Sequence, residues 1–231
     1  MSSTTHSSLV RTLGLAAVLA EAVSGSSCYS SASALAVMQF ESLTIQAATA
    51  SSPGSCLASG TGEAFGIMDV ARPGCCGFSA GVELVNDLPT QEDSLSPPLT
   101  VNQHDVTISS VTVSYTFTPS SGSPNVVLRS ENLPMTAVIP SGQGTATVIT
   151  PVLSASNGAL LAPAGGTPAT GGIVAKLTYN GTTRDGTVIT STPITFPITV
   201  CKDCLPKLTC MNGTTTCTPD SMDQADGAIC N

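Results

Sequence analysis

The chain of 231 residues has no tryptophan, three tyrosines and five phenylalanines. So few rings argue against a stacking platform for carbohydrate. Cations are equally scarce, with seven Lys and Arg against fifteen Asp and Glu and a net charge of −8. The seven (Arg11, Arg72, Arg129, Lys176, Arg184, Lys202 and Lys207) are scattered along the chain. Nucleic acid and anionic membrane surfaces bind through clustered basic groups, so neither is expected as an electrostatic partner. Beyond the start of the chain no apolar run is long enough for a membrane-spanning helix, and no window of eleven or more residues carries a helical stripe. Low charge combined with heavy Ser and Thr usage argues against a disordered polyampholyte, and the length allows one or two modest domains.

The chain opens on what reads as an export signal over residues 1–27. Arg11 precedes the apolar stretch LGLAAVLA (13–20), and the small residues of EAVSGSSC follow. Two cleavage patterns compete. AEA at 20–22 suits release of a soluble protein beginning at Val23. GSSC at 25–28 suits a lipobox, with Cys28 as the acylated first residue, although Gly25 stands where such motifs usually carry Leu. Either route leads out of the cytosol, where disulfides form.

Cysteine parity favours the second pattern. The nine cysteines are Cys28, Cys56, Cys75, Cys76, Cys201, Cys204, Cys210, Cys217 and Cys230, and nine cannot all pair. With Cys28 as the lipid-bearing residue, the other eight can form four bridges. Three of these precede residue 77 and five follow residue 200, so complete pairing requires at least one bridge between the two groups.

Between those groups, strand patterns recur. GVELVNDL sets Val82 and Leu84 against Glu83 and Val85, and VTVSYTFT aligns Val111, Val113, Tyr115 and Phe117 on one face. The preceding VTISS is out of phase, which predicts a bulge near Ser109 and Ser110. Further strands are expected at NVVLR, MTAVI, GTATVITPVL, GIVAKLTY and GTVITSTPITFPITV, with reversals at PSSGSPN, PSGQG, SASNGAL and YNGTTRDGT. Pro193 and Pro197 suit a sheet edge. The expected fold is an all-β, antiparallel sandwich over 77–200. Residues 28–76 form an N-terminal segment and linker with one candidate strand at QFESLTIQAAT. Residues 201–231 form a disulfide-stapled tail with little apolar content.

Each chemical motif competes with a plainer reading. Cys201-Lys202-Asp203-Cys204 has redox spacing, but Pro206 follows and no βαβ pattern surrounds it. Cys201, Cys204, Cys210 and Cys217 could ligate zinc, but exported thiols are generally oxidised, so disulfide staples are the favoured reading. GFSAG (77–81) matches a nucleophile elbow at Ser79, with Asp87 or Asp93 and then His104 in order, yet a strand rather than a helix is expected after Ser79. Asp220, Asp223 and Asp226 are weak calcium candidates without EF-hand spacing, better read as solvated turn residues. Asn180 and Asn212 open N-x-T sequons, and both are Asn-Gly pairs suited to hairpin turns. No enzymatic constellation survives in its context, and no cofactor is expected.

Four segments together resemble a group of exported Gram-negative lipoproteins with an immunoglobulin-like sandwich. They are GSSC, FSAGVELVNDL, LTYNGTTRDGTVITS and FPITVCKDCL. The resemblance spans most of the chain after the signal and carries no functional residue with it. In such proteins a residue other than Asp after the acylated cysteine, here Tyr29, implies the outer membrane. The resulting expectation is a non-enzymatic, lipid-anchored envelope protein with a structural or interaction role and an envelope protein as partner. The alternative is a secreted soluble binding module.

Overall fold

A computed structural model describes residues 34–46, 55–71, 77–90 and 103–205. Ten strands and one short helix follow in order: β1 (Leu35–Gln46), β2 (Ser55–Gly62), β3 (Gly66–Asp69), β4 (Phe78–Asn86), β5 (Val106–Pro119), β6 (Glu131–Ile139), β7 (Gly144–Leu153), α1 (Ala155–Leu161), β8 (Gly171–Thr183), β9 (Val188–Thr190) and β10 (Ile194–Cys201). One sheet has the order β2-β1-β4-β7. The other has the order β3-β10-β8-β5-β6, with β9 also beside β8. The pairings are antiparallel except β3 with β10, which is parallel.

The two sheets share one core. Phe40 of β1 and Phe78 of β4 meet Phe196 of β10, with ring centroids 4.6 and 5.7 Å apart. Val82, Leu84 and Val152 from the first sheet are buried in the same cluster as Ile108, Val113, Ile173, Leu177 and Ile198 from the second. Each such side chain contributes about 1.5–3 kcal/mol on burial. The alternation read from the sequence therefore becomes a two-layer arrangement with mostly Thr and Ser on the outer face of β5.

Several expectations hold in detail. The register of β5 shifts between Ile108 and Ser110 against both of its neighbours. Against β8 the extra residue is Ser109, which lets Val106 and Ile108 share the inner face with Val111 and Val113 despite their opposite phase. Pro197 lies on the part of β10 that β3 does not reach, because β3 pairs only with Ile198–Cys201. A missing N–H costs the ladder nothing on that side.

Others are corrected. The boundary placed at residue 77 falls inside the folded unit. β1 lies between β2 and β4, and β3 extends the second sheet, so residues 35–69 supply three strands rather than a linker. The pattern of β1 was obscured by a register shift between Val37 and Gln39, which leaves Met38 exposed and moves the inward phase from Val37 to Phe40. NVVLR is not a ladder strand. The side chain of Asn157 takes the place of a neighbouring strand there, its Oδ1 accepting from the Arg129 N–H at 2.8 Å and its Nδ2 donating to the Arg129 carbonyl at 2.9 Å. Asn157 reaches that position because SASNGAL, expected as a turn, forms α1. Ser154 caps that helix by accepting from the Asn157 N–H, and Leu161 is buried at its end.

Candidate functional site

The described part of the chain places one pair of chemically distinctive side chains together, where β3 and β10 end side by side. Asp69 is the last residue of β3 and lies opposite Cys201, the last residue of β10. The parallel ladder continues one step further, with Val70 N–H donating to the Cys201 carbonyl at 2.9 Å. Met68 is buried in the core directly before Asp69, which anchors the strand end. A disulfide joins Cys201 to Cys204, closing a ring over Lys202 and Asp203. The Cys201 sulfur also approaches the Met68 carbonyl oxygen at 3.5 Å; with no hydrogen on a disulfide sulfur, this is a packing contact.

The chain beyond Cys201 wraps around the Asp69 carboxylate. Oδ1 accepts from Ala71 N–H at 3.0 Å and Asp203 N–H at 2.9 Å. Oδ2 accepts from Cys204 N–H at 3.1 Å and Leu205 N–H at 3.2 Å. Asp203 adopts φ of +54°, in the left-handed region that Asp tolerates better than most residues. Successive N–H groups on either side of such a residue point inward and form a concave anion nest. Here the nest is filled by the protein's own carboxylate. Asp69 is only 2% exposed. Burial alone would raise its pKa, but the N–H donors of Ala71, Leu205, Asp203 and Cys204 outweigh that and hold it below the usual carboxylate value.

This geometry decides between two chemistries for the Cys-Lys-Asp-Cys segment. In a redox-active pair, backbone N–H groups at a helix start stabilise a thiolate. Here the N–H groups of residues 203–205 are directed to Asp69, and no helix follows within the described residues. The arrangement suits a structural bridge. The ring is local, and Asp69 makes the connection between the N-terminal strands and the end of β10. A zinc cage of Cys201, Cys204, Cys210 and Cys217 loses two ligands to the disulfide. Among the described residues no group of three or more His, Cys, Asp or Glu is placed to hold a metal ion.

The remaining candidates are dispersed. Ser79 lies at the start of β4, opposite Pro151, and the strand continues after it where an elbow would need a helix. His104 lies near the other end of β4, where Asn86 Nδ2 donates to its carbonyl at 2.9 Å. The span of β4 from Ser79 to Asn86 is about 23 Å at the usual rise per residue. His104 Nδ1 is 2.7 Å from the Pro89 carbonyl oxygen, and Asp87 sits at the same end, its N–H donating to Ala34. Asn180 is inside β8, its side chain donating to Thr112 Oγ1 at 3.2 Å. Cys56 lies in β2. Cys28, Cys75, Cys76, Cys210, Cys217, Cys230, Asp93, Asn212, Asp220, Asp223 and Asp226 lie outside the described residues, as does the apolar stretch 13–20. Within the described residues no helix is long and apolar enough to cross a membrane.

Asp69 itself carried no motif. Its only sequence signal is an acid directly after the short apolar run Gly66-Ile67-Met68, and the parallel partner that gives it meaning is more than 130 residues away. No protein-family model, curated protein or solved structure matches this chain.

Proposed function

We propose that this chain is a non-enzymatic, lipid-anchored protein of the outer membrane, with a structural or interaction role in the cell envelope and an immunoglobulin-like sandwich as its body. The observation that carries this reading is the disulfide between Cys201 and Cys204, seated in a fully occupied hydrogen-bond network. A bridge of that kind belongs to an oxidising compartment, in keeping with the export pattern of residues 1–27. Two antiparallel layers around one core support the sandwich, and the parallel β3 is an addition to the immunoglobulin-like pattern. The separation of Ser79 from His104 along β4 supports a non-catalytic role.

Anchoring at Cys28 has a geometric consequence. Leu35, where β1 begins, is seven residues further on. Fully extended, they span at most about 25 Å. The β-domain would therefore ride close to the bilayer, with a partner met at the membrane surface. The AEA pattern at 20–22 keeps a secreted, soluble form as the second reading.

Fractionation of expressing cells separates the two. The full chain is expected in the membrane fraction, released by detergent and resistant to high salt, while Cys28→Ser moves it to the soluble fraction. Identical partitioning of the two forms would contradict anchoring at Cys28.

A further inference from the structure

Both cysteines of the disulfide are held by the same short strand. The parallel ladder of β3 fixes Cys201, through the Asp69–Cys201 register and the Val70 N–H on the Cys201 carbonyl. The Asp69 carboxylate fixes Cys204, through the Cys204 N–H on Oδ2. Between them, the left-handed Asp203 supplies the turn, and its N–H is bound by Oδ1 of the same carboxylate. A positive φ is uncommon for a residue other than glycine, and the carboxylate rewards it here.

We propose that Asp69 is the template for the Cys201–Cys204 bridge: its carboxylate gathers the backbone of residues 203–205 into the turn that brings the two sulfurs together, so this pair closes when β3 docks on β10. Asp69 is thus a positioning residue that selects one pairing. Selection has a purpose in this sequence. Apart from Cys28, six other cysteines (Cys56, Cys75, Cys76, Cys210, Cys217 and Cys230) compete for Cys201 and Cys204, and Cys210 follows Cys204 by only six residues. Proximity alone does not distinguish Cys204 pairing with Cys201 from Cys204 pairing with Cys210. A buried carboxylate that recognises the closed turn does.

The coupling runs in both directions. A carboxylate that binds the closed turn better than the open one favours oxidation, and the closed ring in turn favours docking of β3 by the same factor. In the oxidation step the thiols of Cys201 and Cys204 lose two protons and two electrons as their S–S bond forms. The electrons go to a disulfide of a thiol–disulfide oxidoreductase or of a small thiol such as glutathione, whose S–S bond is cleaved to two thiols. Once closed, the ring holds the chain as far as Leu205, whose N–H is bound by the same Asp69 carboxylate.

The test compares the full chain with Asp69→Asn and Met68→Ala in glutathione redox buffer, trapping thiols and mapping disulfides by peptide mass spectrometry. Asp69→Asn removes the charge that gathers the N–H groups. Met68→Ala loosens the same strand end by hollowing the core and leaves the carboxylate in place. The expected result is a drop of about tenfold or more in the oxidation equilibrium constant of the Cys201–Cys204 pair in Asp69→Asn, within the range ordinary coupling free energies reach. Cys201 and Cys204 should then appear in bridges to other cysteines. Met68→Ala should lower the urea midpoint and keep the wild-type pairing. Should Asp69→Asn not fold, the unmodified chain in urea above its midpoint serves instead, and its constant must fall to that of the variant. Wild-type pairing in a folded Asp69→Asn, an equal loss in Met68→Ala, or an unchanged constant in urea would each overturn the proposal.

Discussion

The hydroxyl groups of Tyr179 and Thr150, one from each sheet, lie 2.9 Å apart inside the apolar core. Both side chains are fully buried. Burial holds the Tyr179 hydroxyl neutral far above its ordinary pKa. Each hydroxyl satisfies the other, and this polar contact fixes where the sheets face one another. Tyr179→Phe should cost about 1–3 kcal/mol by leaving the Thr150 hydroxyl without its partner. Adding Thr150→Val should recover part of that loss. Urea unfolding of the single and double variants checks this, and strictly additive losses would contradict it.

A second prediction concerns Gly181 in β8. A Cβ at that position would lie 2.6 Å from the Thr107 carbonyl oxygen of β5. Backbone rather than a flexible side chain stands in the way, so relief requires the β5–β8 ladder to move. Gly181→Ala should destabilise the protein by about 1–3 kcal/mol. Gly122→Ala, where a Cβ meets nothing within 4 Å, would suffer only from the positive φ of 79°. Thermal melts of the two variants should rank in that order.

That glycine also shows where sequence reading stops. Asn180-Gly181 has the chemistry of a hairpin turn, yet the reversal falls later, at Asp185-Gly186, where Gly186 has φ of +90°. Both dipeptides are legible as turns. Which one is used depends on the partner strand: β5 pairs with both Asn180 and Gly181, its bulge at Ser109 falling between them, and Gly181 is needed for close approach. The strands in which burial alternates, β7, β8 and β10, were readable because one face meets the core, and β5 was readable on either side of its bulge. β1 and β3 were harder, one broken by a bulge and the other four residues long. The Cys-Lys-Asp-Cys segment was visible by its spacing. Its partner Asp69 was not, because a parallel contact across the chain leaves no local pattern.

Asn157 offers a third test. Its amide replaces a strand neighbour for Arg129, accepting from the N–H and donating to the carbonyl. Asn157→Ala should cost about 1–3 kcal/mol through those two unmade bonds. Hydrogen exchange at the Arg129 amide should quicken more than exchange within β4. Uniform acceleration across both would contradict a local role.

The Asp69 network predicts a pH dependence with a definite sign. The folded carboxyl titrates below the ordinary aspartate value because, against the opposing effect of burial, four N–H groups bind its charged form. A lowered folded pKa adds stability that is present above the unfolded pKa and is lost as pH falls through the folded one. The unmodified chain should therefore lose stability on acidification below pH of about 3.9, the free carboxylate value. Asp69→Asn should lack that component and start from a lower urea midpoint at neutral pH. Parallel midpoint curves for the two forms across this range would contradict the assignment.

Anchoring and pairing are tested together by the intact mass of the native exported protein after blocking free thiols without reduction. The expected result is a mature chain beginning at an acylated Cys28, no thiol available for blocking, and eight sulfurs in four bridges that include Cys201–Cys204. A chain beginning at an unmodified Val23, or several blocked thiols among the eight, would contradict it.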